Sequence, residues 1–406
     1  MLAVTLAAAG CLYPLVSGGE QLLGAVQGMN VSFQTAVMQH RPARVSGRDD
    51  DRSEGAGRAA GRRLVAEQRS GRTATASTVA RARGGAASRA TAASPRPQST
   101  ATATASTPAA PAAALPPVAP LPAASAGGAL SWPPPAGYEG FPVQRVSAAG
   151  VLNTVDGHGG DVRVELSPSH AVGPVVIKNC RNAVLIGGQI DVLASAQAGG
   201  QDQRGIYVSN CTGTVHLEGL RINGAVQGSQ SDGIAVNAPQ ALVQIENVRV
   251  DGMRGALGGN HADVFQPWGG VREFRIDRLT GSTNYQGLEI KKGLGPIGRG
   301  IVMNANVASS EVTPTDHGGN FVWLGCNDYP LTLDNVYVAG RSDRSFATSI
   351  WPTAANSGCP ASINAGVASW PGYTSLNGTV HEGRPPSGDF VPAGSVGLGY
   401  TSPGYR

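Results

Sequence analysis

Val215-His-Leu-Glu-Gly-Leu-Arg-Ile-Asn-Gly224 decides the fold, because Leu242-Val-Gln-Ile-Glu-Asn-Val-Arg-Val-Asp-Gly252 repeats it one unit later. In both stretches apolar residues alternate with polar ones, which puts one row of side chains inside and the next outside a β-strand. Working outward, Pro174-Val-Val-Ile-Lys-Asn-Cys and Gly205-Ile-Tyr-Val-Ser-Asn-Cys match each other. Glu273-Phe-Arg-Ile-Asp-Arg-Leu, Gly300-Ile-Val-Met-Asn-Ala-Asn-Val and Leu331-Thr-Leu-Asp-Asn-Val-Tyr-Val-Ala-Gly extend the series. The period of roughly 24 to 33 residues falls where solenoids occur. A single coil cannot bury its own apolar row, whereas a stack of coils can. The alignment predicts an internal column of Leu217, Ile245, Ile276, Met303 and Leu333. Helices are excluded because Gly or Asn interrupts every run, and Gly costs about 1 kcal/mol inside a helix. Asn179 and Asn210 recur at one point of successive coils, where a corner needs a left-handed residue. The expectation is an all-β, right-handed parallel β-helix.

Cysteine positions follow the same register. Cys180 and Cys211 are equivalent in neighbouring coils, as are Cys326 and Cys359. Strands about 4.8 Å apart sit near the short end of the Cα separation a disulfide tolerates. Two inter-coil disulfides and an oxidising compartment are expected, the alternative being stacked apolar thiols.

The rest of the chain is organised around this domain. Residues 1–130 carry 13 Arg, no Lys and six acidic residues, while the remaining 276 carry 18 basic and 21 acidic ones. The basic charge therefore belongs to the lead and the repeat region is mildly acidic, which argues against nucleic acid as a partner. Residues 1–40 read as an export or lipoprotein-type signal ending near Cys11, or as a miscalled start. Residues 41–135, basic and then Ala/Pro/Thr-rich, cannot bury enough apolar area to order themselves. They are expected to be a disordered spacer. The β-helix is expected over 140–385 and a Gly/Pro-rich strap over 386–406. No run is apolar and long enough to cross a membrane as a helix. A monomer that is secreted, periplasmic or bound to the cell envelope is the expectation.

The coils, with His261-Ala-Asp-Val-Phe-Gln266 and Asn284-Tyr-Gln-Gly-Leu288, resemble secreted bacterial right-handed β-helix proteins of the pectate-lyase-like superfamily. The resemblance spans about residues 140–380 and implies the fold and an acidic, uronate-bearing polysaccharide as partner. Gly157-His158-Gly159 precedes every candidate carboxylate, and neither Arg-Ile-Lys nor Arg-x-Pro-x-x-Arg occurs. Fold likeness alone does not fix chemistry.

Chemistry is expected where the turn entering the first strand of each coil is polar. Asp202 and Arg204, Asp232, His261 and Asp263, Tyr285 and Gln286, then Asp316 and His317 would form one row across the stack. Asp232 and Asp263 are candidate calcium ligands. A bound Ca²⁺ would acidify the C5 proton of a uronate for β-elimination, with Lys291 or His261 as base. The candidate catalytic set is His261, Asp263, Asp232 and Lys291. Arg204, Gln266, Trp268, Tyr285, Gln286 and His317 are candidate substrate contacts, the aromatic ones by stacking on sugar rings. The bland alternatives are that Asp232 only shapes a turn, that Lys291-Lys292 is a solvated pair, and that Trp323 packs within its coil. A glycoside hydrolase using the same two acids, or a non-catalytic surface module that binds polysaccharide, are the rival functions.

Overall fold

The computed structural model describes residues 128–194, 200–310 and 318–406. The expectations for residues 1–127, and for Asp316 and His317, lie outside these residues.

Strand alternation produces the predicted stack. Three parallel faces recur in every coil. The first face comprises β2 (Asn153–Asp156), β4 (Val175–Lys178), β7 (Arg204–Ser209), the start of β10 (Asp232–Met253), the start of β11 (Phe265–Thr283), β12 (Leu288–Glu289), β14 (Val322–Trp323) and β16 (Ile350–Trp351). The second comprises β1 (Val143–Val146), β3 (Val162–Leu166), β5 (Ala183–Ile186), β8 (Thr214–Glu218), the middle of β10 and β11, and the first halves of β13 (Ile297–Ser309), β15 (Leu331–Ala339) and β19 (Leu376–Glu382). The third joins β6 (Gln189–Asp191), β9 (Arg221–Asn223) and the ends of the long strands. A short hairpin, β17 (Ser362–Asn364) with β18 (Val367–Ser369), turns antiparallel onto β19. The architecture is thus a parallel β-solenoid, with its apolar core in the lumen.

The internal column differs from expectation at one position. Leu185, Leu217, Ile245, Ile276, Val302 and Leu333 stand in register, so Val302 and not Met303 faces the lumen. The reason lies at Gly300, which pairs with Phe274. A Cβ on Gly300 would run into the Phe274 ring, so this position points inward and leaves room for it. Parity then sends Met303 outward.

Corners are made by left-handed residues. Asn179 (φ 52°) and Asn210 (φ 54°) shape the first corner as expected. Asn179 Nδ2 donates to Asp156 Oδ2 at 3.0 Å and Asn210 Nδ2 donates to Asn179 Oδ1 at 3.5 Å. A longer column, unforeseen, follows the second face: Gly187, Gly219, Asn247, Arg278, Asn304 and Asn335 all have φ between 49° and 72°. Both disulfides form as the register requires, with Cα separations of 4.4 Å for Cys180–Cys211 and 5.7 Å for Cys326–Cys359.

Residues 128–132 and the C-terminal tail close over the outer side of the second face. Leu130, grouped by composition with the spacer, is fully buried and bridges to Tyr405. Its N–H donates to the Gly404 carbonyl at 2.7 Å, and Arg406 N–H returns to the Leu130 carbonyl at 3.0 Å. Beneath this clasp lie Glu218, Glu246 and Asp277, on neighbouring strands in direct register and fully buried. Ser131 and Trp132 N–H groups donate to Glu246 at 3.0 and 2.7 Å, and Ser131 Oγ donates to Asp277 at 2.6 Å. Tyr400 and Tyr405 hydroxyls donate to Glu218, and the buried His216 faces it at 2.9 Å. The tail from residue 386 therefore packs along the stack as a strap. Among the described residues no helix is long and apolar enough to cross a membrane.

Candidate functional site

The outer side of the first face gathers the predicted row. Asp232 pairs directly with Arg204 on the preceding coil. Ile234 pairs with Phe265, and Phe265 with Leu288, which places Asp232, Asp263 and Gln286 at equivalent positions of successive coils. Three residues further along each strand, Ala235, Gln266, Glu289, Trp323 and Trp351 form a second outward row.

The two rows converge on three buried carboxyls, Asp232, Asp263 and Glu289, each no more than 4% exposed. Asp232 Oδ1 accepts from the Asp263 backbone N–H at 3.0 Å and from Asn260 Nδ2 at 3.1 Å. Its Oδ2 stands 3.9 Å from Arg204 Nε. Glu289 accepts from Gln266 Nε2 and pairs with the Lys291 ammonium at 3.0 Å. The Glu289 carboxyl neighbours that of Asp263, and two such groups resist ionising together. Burial, then the charges of Glu289 and Asp232, push Asp263 well above the usual carboxylate range, opposed only in part by Lys291. Burial also raises Asp232, against hydrogen bonds from Asp263 and Asn260 and the charge of Arg204.

Side chains around the acids are aromatic and cationic. The Arg204 guanidinium lies 4.5 Å from the Tyr207 ring and 5.5 Å from that of Trp268, itself 38% exposed. His261 stacks on Tyr285 with ring centroids 5.0 Å apart, and its Nε2 is 3.4 Å from the Leu257 carbonyl. Lys291 Nζ rests 3.5 Å above the Trp323 ring. Asp263 Oδ1 and Gln286 Oε1 are buried and carry no hydrogen bond among the described residues.

The structure thus brings together Arg204, Asp232, Asp263, Gln266, Gln286 and Lys291, with His261, Tyr285 and Trp268 at the same strand entries. Lys291 is an ion-paired, mostly buried cation rather than half of a solvated pair. Gln266 points outward to Glu289, and Trp323 lies outside its coil rather than within it. Glu289 was missed in the sequence. Its signal was the alternation Leu288-Glu289-Ile290, in which both neighbours are fully buried in the lumen. Gly157-His158-Gly159 is remote in character, since His158 is 84% exposed at the first corner. Among the described residues, no group of three or more His, Cys, Asp and Glu side chains is arranged to hold a metal ion.

No protein-family model, curated protein or solved structure matches the chain.

Proposed function

We propose that the acid row on the first face cleaves glycosidic bonds of an acidic polysaccharide by hydrolysis. The observation that carries this reading is a cluster of three buried carboxyls, Asp232, Asp263 and Glu289, in which burial and the charges of the other two keep Asp263 well above the usual carboxylate range. A carboxyl kept neutral by its surroundings can protonate a leaving glycosidic oxygen, and a nearby ionised carboxylate can activate water or attack the sugar. In this scheme Asp263 supplies the proton. Asp232, held by Asn260, the Asp263 N–H and Arg204, acts as the carboxylate. Arg204 and Lys291 flank the acids on either axial side and suit a substrate bearing carboxylates. Gln266, Gln286, Trp268, Tyr285 and His261 line the approach.

β-Elimination is the second reading, with Asp232 and Asp263 around Ca²⁺ and Lys291 as base. Two observations weigh against it. Lys291 is paired with Glu289 and rests on the Trp323 ring, contacts it would have to leave to reach a substrate proton. The donor set also suits a cation poorly, because Asp232 Oδ1 already accepts two N–H donors and burial beside Glu289 disfavours the charged form of Asp263.

A right-handed coil is part of the proposal, since crossovers between parallel strands are right-handed in about 98% of cases. So is export, which the two disulfides favour. The protein is taken to act as a monomer, its core being closed within its own coils.

The test is incubation with a panel of acidic and neutral polysaccharides, following reducing ends and the ultraviolet absorbance of unsaturated ends, each with and without chelator. Reducing ends without unsaturation, insensitive to chelator and reduced about 10²- to 10⁴-fold by Asp263→Asn or Glu289→Gln, are expected. Chelator-sensitive unsaturation would replace hydrolysis by elimination. Silence in both channels, with retained binding, would make the protein a polysaccharide-binding module.

A further inference from the structure

The outward row that carries Gln266 and Glu289 does not end at the acids. In β14 the side chains of Val322 and Leu324 belong to the core, so Trp323 between them faces out. In β16 Ile350 is fully buried and Trp351 faces out. Register sets Glu289 beside Trp323 and Trp323 beside Trp351. Each step along the stack is about 4.8 Å, so Asp263 and Trp351, three coils apart, are separated by about 14 Å along the axis.

These two tryptophans are built differently from the structural one nearby. Trp370 is 3% exposed and its Nε1 donates to the Pro352 carbonyl at 2.8 Å. Trp323 and Trp351 are half-buried, and no hydrogen bond fixes either indole N–H among the described residues. Each ring keeps part of its apolar surface in water at an outer strand position, a cost that a bound apolar face removes. Lys291 joins this pair of rings to the acid cluster, touching Glu289 on one side and Trp323 on the other. A pyranose has an apolar C–H face that stacks on indole, and a uronate ring adds a carboxylate for the ammonium.

We propose that Trp323 and Trp351 form a stacking station that holds a polyuronate chain beyond the bond being cleaved, so that the protein favours long chains over short oligomers. The proposal rests on the reading of the first face as the polysaccharide site and adds its direction: the chain runs along the stack axis, from Trp268 and Arg204 past the acids towards the C-terminal coils. A chain that stops at the acids forgoes the Lys291–Trp323–Trp351 contacts, and a longer one gains them.

The experiment uses the full chain with polygalacturonate and alginate, and with size-fractionated oligomers of each. Binding is read by retardation in gels containing the polymer, and turnover as the ratio of kcat/KM on long to short oligomers. Trp351→Ala is expected to weaken retention about tenfold, equivalent to about 1.4 kcal/mol, and to shift the long-to-short ratio towards one. Trp323→Ala should do the same, and Trp351→Phe should restore part of the loss. Far-ultraviolet circular dichroism of each variant confirms the fold, with Trp323→Ala serving if Trp351→Ala does not fold. A long-to-short ratio unchanged in both alanine variants overturns the station, as does a wild-type chain that neither polymer retards. Retention that survives Asp263→Asn but falls in Trp351→Ala, without turnover in any form, would sink hydrolysis and leave the station standing.

Discussion

Glu246→Gln should flatten the pH dependence of stability on the alkaline side of neutrality. Glu246 sits between Glu218 and Asp277 on neighbouring strands, all three fully buried. Around the row, Ser131 and Trp132 donate to Glu246 itself, His216, Tyr400 and Tyr405 face Glu218, and Arg278 lies 3.8 Å from Asp277. Burial, followed by the charge of Asp277, pushes Glu246 up to about 9 from an ordinary 4.5. Glu218 goes the other way: burial would raise it, but hydrogen bonds from His216, Tyr405, Ser402 and Tyr400 hold it below its ordinary value. The row therefore stores its proton on Glu246. Between pH 4.5 and 9 the folded chain holds that proton and the unfolded chain does not. The stabilisation is complete below the unfolded pKa and declines with rising pH, by about 1.4 kcal/mol per unit. From pH 6 to pH 8 the loss is about 3 kcal/mol from this group alone. Glutamine carries no proton to lose, so the variant should lack this slope. Its NH₂ cannot accept from both Ser131 and Trp132, which costs it about 1 kcal/mol at low pH. The two stability curves should cross, with the variant the more stable at pH 8. Denaturant titrations from pH 5 to 9, read by far-ultraviolet dichroism and by tryptophan fluorescence, measure this. Two probes are needed because stacked coils can open in parts. Equal slopes in wild type and Glu246→Gln would refute the assignment of the proton to Glu246.

Other outcomes follow from single contacts. If Asp263 delivers the proton, activity should fall as pH rises through its raised pKa, and kcat/KM against pH should show that limb. Gly300→Ala pushes a methyl into Phe274 and should cost about 1–3 kcal/mol by denaturant unfolding. Gly219→Ala adds a Cβ against the Tyr400 ring at a residue with φ 65°, so it should strain the corner by about 1–2 kcal/mol and expose the tail to protease. Replacing Cys180 and Cys211 by Ala opens a link between residues 31 apart and should destabilise by about 2–4 kcal/mol, visible as a lower melting temperature.

The sequence exposes what repeats and hides what depends on parity or on distant partners. Leu217, Ile245 and Ile276 are legible as a column because alternation and coil length agree. Met303 was placed one residue off because the inward position before it is a glycine, which has no side chain to count. The acid row from Arg204 through Asp232 and Asp263 to Gln286 follows from the coil register. Glu289 and the outward face of Trp323 are marked only by a single alternation each, Leu288-Glu289-Ile290 and Val322-Trp323-Leu324, around strands of two residues. The second corner column mixes Gly, Asn and Arg, so composition does not reveal it. Arg278 holds its left-handed conformation while donating to the carbonyls of Gly128 and Ala129, 150 and 149 residues away. The docking of Ser131 and Trp132 on Glu246 has the same origin: Ala-Leu-Ser-Trp looks like spacer until the carboxylate it caps is in place.

Two rows of three acids stand on this stack, and sequence spacing alone gives them equal claim to chemistry. Their donors separate them. On the second face Glu218, Glu246 and Asp277 are capped by Ser131, Trp132, Tyr400, Tyr405, His216 and Asn304, all supplied by the protein itself. A row so fully paired is a structural device, because any ligand would have to displace both termini and their hydrogen bonds. On the first face Asp232 and Glu289 are paired, yet Asp263 Oδ1 and the neighbouring Gln286 Oε1 are buried with no donor among the described residues. Buried acceptors left open are costly unless something donates to them. The hydroxyl groups of a sugar are suitable donors, and Arg204, Lys291, Trp268 and Trp323 surround the place where such a ring would lie. That asymmetry in hydrogen bonding, more than the count of acids, supports the proposed catalysis on the first face and the fastening of residues 128–132 and of the C-terminal tail on the second.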